Sequence, residues 1–260
     1  MNAIEREMVD VLKRLKNDFG VIEIKAEYEN EGSRQDELMR LKDVSSKVDL
    51  PIIMKIGGVE AITDIYNALT LGVAGIIAPM AETKFAVSKF TNAINTFVSE
   101  DNREDIEFAF NLETITGYEN IDDILSLENL NMLDGVTIGR VDFTSSMGKD
   151  RSFADSDEML GYCTDIFQKA REKGLKCGLG GAISANSAEF IKSLVSQNLI
   201  DKYETRKIVY HKDAVSTIDK GILAGVEFEL LWLKSKRRYY QRIKTEDEKR
   251  IEMLDIRLKG

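Results

Sequence analysis

The stretch PIIMKIGGVEAITDIYNALTLGVAGIIAPM, residues 51–80, contains a predicted strand, a predicted helix and a second predicted strand in succession. Its two ends, Pro51–Ile56 and Gly75–Met80, are short runs with apolar residues at consecutive positions, as expected for strands that are buried on both faces. Between them, Ala61–Leu71 has apolar side chains at helical spacing along one face. This order predicts a β–α–β unit, from which parallel sheets are built.

The same alternation extends along most of the chain. Further β-rich apolar runs occur at Val21–Ala26, Glu107–Leu112, Gly135–Ile138, Lys176–Leu179 and Lys207–Tyr210. The alternation covers more than 200 residues without a linker, which favours one parallel α/β domain. A (β/α)8 TIM-type barrel is the preferred fold, because such barrels usually have roughly 250 residues. An open doubly wound sheet is the second choice.

Only seven strands are evident, whereas the barrel needs eight. The chain starts with a helical pattern at Ala3–Lys16, so we predict that an N-terminal strand is missing, incomplete or irregular.

We place the barrel domain at residues 1–211 and a C-terminal helical extension at residues 212–260. Apolar residues recur in the extension at steps of three or four, at Ile218, Ile222, Val226, Leu230 and Leu233. We expect this stripe to pack on the barrel or on a neighbouring subunit, and we therefore expect a homo-oligomer.

Composition excludes several classes of protein. The 260 residues are 43% hydrophobic and 31% charged, with a net charge of −9. Residues 234–260 carry 10 Lys and Arg against 5 Asp and Glu, so the body is strongly acidic, which argues against general nucleic-acid binding. No apolar run reaches the roughly 18 residues of a membrane helix, and the first residues lack the apolar stretch of a secretion signal. With only two cysteines, we expect a cytoplasmic protein without a membrane partner.

Polar and glycine residues follow one predicted strand after another. In a barrel of this type the carboxyl ends of the strands surround the active site. The candidate site residues are therefore those at these ends: Glu27, Tyr28, Lys55, Asn111, Glu113, Gly139, Arg140, Val141 and Asp142.

Two carboxylates among these residues, Glu113 and Asp142, suggest a metal site. Two acids completed by water commonly hold Mg²⁺ or Mn²⁺, because hard cations prefer oxygen ligands. The alternative for each is a helix cap or a surface acid, since acids are favoured at helix starts. Lys55 can be a Schiff-base lysine, an anion ligand or a rim charge, of which the covalent role is the minority interpretation.

Three segments resemble the HpcH/HpaI aldolase and citrate lyase beta-subunit family. Leu112-Glu113-Thr114 is similar to the family's I-E-T, and residues 134–148, DGVTIGRVDFTSSMG, are similar to its D-G-V-x-I-G-P-x-D-L-S-x-S-x-G. Residues 71–83, LGVAGIIAPMAET, resemble G-A-x-G-I-I-V-P-M-V-x-T. The similarity covers residues 21 to 181.

The resemblance implies a barrel of the phosphoenolpyruvate/pyruvate type that binds a divalent metal and a 2-oxo acid or acyl-CoA. Carried over by position, Glu113 and Asp142 are the metal ligands. The backbone N–H groups of Val141 and Asp142, beside Gly139, hold the substrate carboxylate, and Asn111 is a polar substrate contact. Family members are oligomers with exchanged C-terminal helices, which also favours a homo-oligomer.

The chain departs from the family pattern at three places. Glu27-Tyr28 stands where the aldolase branch has Glu-His, Lys55 where it has a substrate-binding Arg, and Arg140 where it has Pro. We therefore expect Glu27 or metal-bound water, and after them Tyr28, to transfer protons. We also expect Tyr28 to contact substrate and Lys55 or Arg140 to pair with substrate charge.

The sequence thus predicts an enzyme: a divalent-metal-dependent carbon–carbon lyase of the class II aldolase type. It would act on a pyruvate-like 2-oxo acid through a metal-stabilised enolate, with an aldehyde or acyl compound as the second substrate. The alternatives are an acyl-CoA lyase or hydrolase of the citrate lyase beta type, and a catalytically altered binding protein on the same barrel.

Overall fold

A computed structural model describes residues 1–259 of the chain. Eight strands form a closed barrel in the order of the sequence. They are β1 Val21–Glu27, β2 Ile52–Lys55, β3 Gly75–Ala78, β4 Glu107–Leu112, β5 Gly135–Gly139, β6 Lys176–Gly180, β7 Lys202–Glu204 and β8 Ile208–His211.

Helices alternate with the strands and cover the barrel. They are α1 Ala3–Phe19, α2 Gln35–Ser46, α3 Ile62–Leu71, α4 Lys84–Phe97, α5 Glu100–Arg103, α6 Ile115–Glu119, α7 Ile121–Ile124, α8 Arg140–Ser146, α9 Asp157–Glu172, α10 Ala188–Ser196 and α11 Ile218–Lys259. The (β/α)8 TIM-type fold and the long C-terminal helix predicted from the sequence are confirmed.

The direction of the last strand distinguishes this barrel from an all-parallel one. Strands β1 to β7 pair with one another in parallel, but β8 is antiparallel to both of its neighbours, β7 and β1. The pairing of β1 with β8 shifts register between Val21 and Glu23, so the first strand is irregular at its start. The expectation that the eighth strand was missing at the N-terminus is wrong, because the strand that the sequence did not reveal is β7.

Ion pairs occupy the end of the barrel opposite to the carboxyl ends of the parallel strands. Lys202 Nζ lies 3.1 Å from Glu23 Oε2 and 3.1 Å from Glu107 Oε1. Lys176 Nζ lies 3.0 Å from the other oxygen of Glu107. A small apolar layer of Ile53, Ile77, Ala109 and Val209 packs above them. Charged groups therefore close the amino end of the barrel, which leaves the carboxyl end as the place for a binding site.

The C-terminal helix α11 packs on α1, where Arg14 pairs with Glu227. Ile218 and Ile222 of the predicted stripe are buried, whereas Val226, Leu230 and Leu233 are about half exposed. The exposed part of the stripe is the face that we propose for contact with a second copy of the chain.

We also propose the division of the chain into a barrel domain, residues 1–211, and a C-terminal extension, residues 212–260, of which Gly260 lies outside the described residues. Within residues 1–259, no helix combines the length and the apolar character that a membrane crossing requires.

Candidate active site

A cavity of about 370 Å³ lies at the carboxyl ends of the parallel strands. This volume falls at the lower end of the roughly 300–1,000 Å³ that is usual for small-molecule sites. The predicted site residues that line it are Glu27, Lys55, Asn111, Glu113, Gly139, Val141 and Asp142.

Glu113 follows the last residue of β4 and is almost completely buried. The backbone N–H of Met80 donates to its Oε1 at 3.0 Å, and Asn111 Nδ2 donates to its Oε2 at 3.2 Å. Gly139 makes room for this carboxylate, because a Cβ at that position would overlap Glu113 Oε2. Burial raises the pKa of Glu113, and the nearby Asp142 raises it further, while Lys55, Met80 and Asn111 oppose the shift.

Asp142 reaches the same cavity from the neighbouring strand. Helix α8 begins directly after β5, and Asp142 is its third residue, on the exposed side of the cavity. The structure thus brings the two predicted carboxylates together at the mouth of one barrel, although 28 residues separate them in the chain.

The residues present fit a hard divalent cation. Asn111 Oδ1 is a buried oxygen that has no hydrogen-bond partner among the described residues. Two carboxylates and an amide oxygen are ligands of the kind that Mg²⁺ and Mn²⁺ accept. Residues 1–259 contain no group of three or more His, Cys, Asp or Glu side chains placed to hold a metal. Water or substrate oxygens would therefore complete the coordination.

Two buried lysines at the mouth are each paired with two carboxylates. Lys55 Nζ lies 2.8 Å from Glu29 Oε2 and 3.5 Å from Glu113. Lys25 Nζ lies 2.6 Å from Glu204 and 3.3 Å from Glu27. Burial alone would lower the pKa of both amines, but these carboxylates reverse the effect and raise the pKa of both. Both lysines are therefore ammonium ions at neutral pH.

We accordingly expect that neither lysine forms a Schiff base with a 2-oxo acid, because that reaction needs a free amine. Treatment with pyruvate and sodium borohydride should leave the mass of the intact protein unchanged, whereas a trapped imine would add the reduced substrate to it. Peptide mapping of Lys25 and Lys55 checks the result, and a pyruvate adduct on either residue would contradict it.

Arg140 does not face the cavity, which corrects its assignment as a catalytic residue. Its fully buried guanidinium donates to the carbonyl oxygens of Gly180, Gly181 and Ala154 at 3.3, 2.8 and 2.8 Å. It also pairs with Asp155 at 2.6 Å and lies 4.6 Å from the centre of the Phe190 ring. The cause is its position as the first residue of α8, from which the side chain reaches beneath the loop that follows β6. Arg140 connects these segments instead of binding substrate.

Tyr28 is the second correction, because it is not among the residues that line the cavity. Side chains alternate between the two faces of a strand, and Lys25 and Glu27 already point inward from β1. Tyr28 follows with the opposite orientation, and its hydroxyl donates to Gln35 Oε1 at 2.9 Å. Its assignment as a substrate contact is therefore not supported.

Several lining residues were absent from the predicted site. Lys25 and Glu204 are buried there, and Arg151 and Arg206 lie at the rim. Glu204 was missed because β7 itself was missed. The sequence does contain one indication that Glu204 ends a strand, which is its position directly before the polar segment Thr205-Arg206.

The fold and the cavity described above define a (β/α)8-type barrel whose candidate site lies at the carboxyl ends of the strands. The model of the family described as HpcH/HpaI aldolase/citrate lyase matches residues 53–191, more than half of the chain. The chain belongs to this family, and the matched region contains Lys55, Glu113 and Asp142. No curated protein matches the sequence significantly.

Solved structures of low sequence identity share the fold. The HpcH/HpaI aldolase from Desulfitobacterium hafniense DCB-2 is 14% identical, with a TM-score of 0.60 over 76% of this chain and 82% of the other. The citrate synthase SbnG is 18% identical, with a TM-score of 0.61 over 95% and 91%. An HpcH/HpaI aldolase/citrate lyase family protein from Burkholderia cenocepacia J2315 is 12% identical, with a TM-score of 0.55 over 90% and 98%.

Proposed function

We propose that this protein is a divalent-metal-dependent carbon–carbon lyase of the aldolase type that acts on a pyruvate-like 2-oxo acid. The observation that carries the proposal is the presence of Glu113 and Asp142 in one cavity, beside Asn111 Oδ1, which has no hydrogen-bond partner within residues 1–259. Membership of the HpcH/HpaI aldolase/citrate lyase family supports the class of reaction.

The charged side chains of the cavity support the need for a bound cation. Lys25 and Lys55 are each already paired with two carboxylates, so neither ammonium group is free to neutralise an incoming oxo acid. Glu113 and Asp142 would repel that anion in the absence of a counter-charge. Mg²⁺ or Mn²⁺ held by these two residues would offset the repulsion and, when bound, supply a Lewis acid for the oxo-acid oxygens.

The protein's own groups would hold the substrate in place. The family resemblance assigns its carboxylate to the backbone N–H groups of Val141 and Asp142, which as early residues of α8 have no acceptor within the helix. Gly181 leaves this region open, because a Cβ there would lie 2.6 Å from the backbone nitrogens of Arg140 and Val141. Lys55, which lies 2.8 Å from Glu29 and 3.5 Å from Glu113, would hold the Glu113 carboxylate in position for the cation.

Hydrogen exchange at pyruvate tests the proposal directly. Proton NMR in D₂O should show the methyl signal of pyruvate decreasing in the presence of the protein and Mg²⁺ or Mn²⁺. Removal of the metal with a chelator should stop the exchange, and its return should restore it. The proposed function would be contradicted if the chelator left the exchange rate unchanged, or if none of a panel of 2-oxo acids exchanged.

A further inference from the structure

Glu204 at the end of β7 is a buried carboxylate of the cavity, in addition to Glu27 and Glu113. It is 4% exposed and belongs to the lining. Lys25 Nζ donates to its Oε1 at 2.6 Å. Its Oε2 is buried and has no hydrogen-bond partner among the described residues. A buried carboxylate oxygen without a donor is costly, so this atom indicates a ligand group that donates a hydrogen bond.

Two glycines place Glu204 beside Glu113. Gly139 and Gly180 are register partners at the ends of β5 and β6. The Glu113 carboxylate lies against Gly139, and Glu204 lies against Gly180, where a Cβ would be 3.1 Å from Glu204 Oε1. Adjacent strands are roughly 4.8 Å apart. A small molecule lying over the two glycines would therefore have Glu113 on one side and Glu204 on the other.

We propose that Glu204 is the catalytic acid–base group that exchanges a proton with the hydroxyl group of the aldol substrate. This inference rests on the proposed function. In cleavage, Glu204 Oε2 accepts the proton of the hydroxyl at C4 of a 4-hydroxy-2-oxo acid, and the O–H electron pair forms the new carbonyl. The C3–C4 bond breaks, its electron pair passes to the 2-oxo acid as an enolate, and water returns a proton to C3. In synthesis the same proton moves from Glu204 to the new alkoxide.

Glu204 fits this role better than Glu27, the group predicted from the sequence. Both contact Lys25, but Glu204 is closer, at 2.6 Å against 3.3 Å. Only Glu204 has a buried oxygen that lacks a donor among the described residues. Lys25 is then a positioning residue, because its ammonium group holds Oε1 and leaves Oε2 for the substrate.

The experiment compares two reactions of the same protein with Mg²⁺ bound. One is cleavage of 4-hydroxy-2-oxopentanoate, which has the hydroxyl group, and the other is deuterium exchange into pyruvate, which has none. Glu204→Gln should lower the cleavage rate by about 10²-fold or more, the range for general acid–base catalysis. Exchange should stay within about threefold of the wild-type rate, because it involves no hydroxyl proton.

Glu107→Gln is the matched control, because Glu107 is a paired carboxylate inside the same barrel at its opposite end. It should retain both reactions. Glu204→Ala gives a second measurement that separates chemistry from folding, since added formate should restore part of its cleavage activity.

Three results would overturn the assignment of Glu204: an equal loss of both reactions in Glu204→Gln, no loss of cleavage, or a selective loss in Glu27→Gln instead. A wild-type protein that catalyses neither reaction would overturn the proposed function together with this inference.

Discussion

Glu113→Gln is expected to reduce metal-dependent exchange and turnover by about 10³-fold or more while leaving the fold intact. The substitution removes one of the two charges proposed to hold the cation, and Lewis-acid stabilisation by a metal is worth several kcal/mol, where about 1.4 kcal/mol is a factor of ten. Glutamine keeps a carbonyl oxygen for the N–H group of Met80, and Lys55 keeps its partner Glu29.

Melting temperatures measured with and without a divalent cation show whether a variant has lost metal binding or has lost its fold. Millimolar Mg²⁺ or Mn²⁺ should raise the melting temperature of the wild-type protein, because a ligand that binds the folded state stabilises it. The increase should vanish in Glu113→Gln and in Asp142→Asn. Glu119→Gln, an exposed acid outside the cavity lining, should retain it. Full activity in Glu113→Gln would refute the assignment of the metal site.

Arg140→Met is expected to lower the free energy of unfolding by about 3 kcal/mol, because buried carbonyl groups would be left without a donor at about 1–3 kcal/mol each. The carbonyl groups of Gly180, Gly181 and Ala154 would lose their donor, and Asp155 would lose its counter-charge. Denaturant unfolding followed by circular dichroism measures the change.

The exposed Arg238 on α11 provides the comparison for this variant. Arg238→Met should alter the free energy of unfolding by less than about 0.5 kcal/mol, as is usual for surface substitutions. If Arg140→Met unfolded like the wild-type protein but lost turnover, Arg140 would be a substrate ligand after all, and its structural assignment would be wrong.

The sequence was sufficient to predict the barrel, because most of its strands are buried on both faces and are apolar at consecutive positions. The strand Glu107–Leu112 has the bounds that the sequence pattern indicates, and the helix predicted at Ala61–Leu71 begins one residue later, at Ile62. Strand β7 was not predicted, because it has only three residues and two of them, Lys202 and Glu204, are charged. Their charge is compensated by Glu23, Glu107 and Lys25, which no local pattern can reveal.

The sequence could predict those residues of the candidate site that lie directly after a recognisable strand. Glu113 and Asp142 come directly after two neighbouring strands, and the closed barrel brings such positions to one mouth. The orientation of Arg140 depends on where α8 begins, and that of Tyr28 on which face of β1 points inward. The pair of Lys25 and Glu204 joins residues separated by 179 positions. Only the closed barrel brings them into contact.

The antiparallel last strand has a consequence for how the protein is made on the ribosome. Strand β1 is complete early in synthesis, yet one of its two neighbours, β8, consists of four residues that emerge some 180 positions later. Until then the nascent sheet has two open edges, on β1 and on whichever strand was made last, and open edges readily pair with other chains. A product terminated before Ile208 would keep both edges permanently, so premature termination should yield aggregates and not a smaller folded barrel.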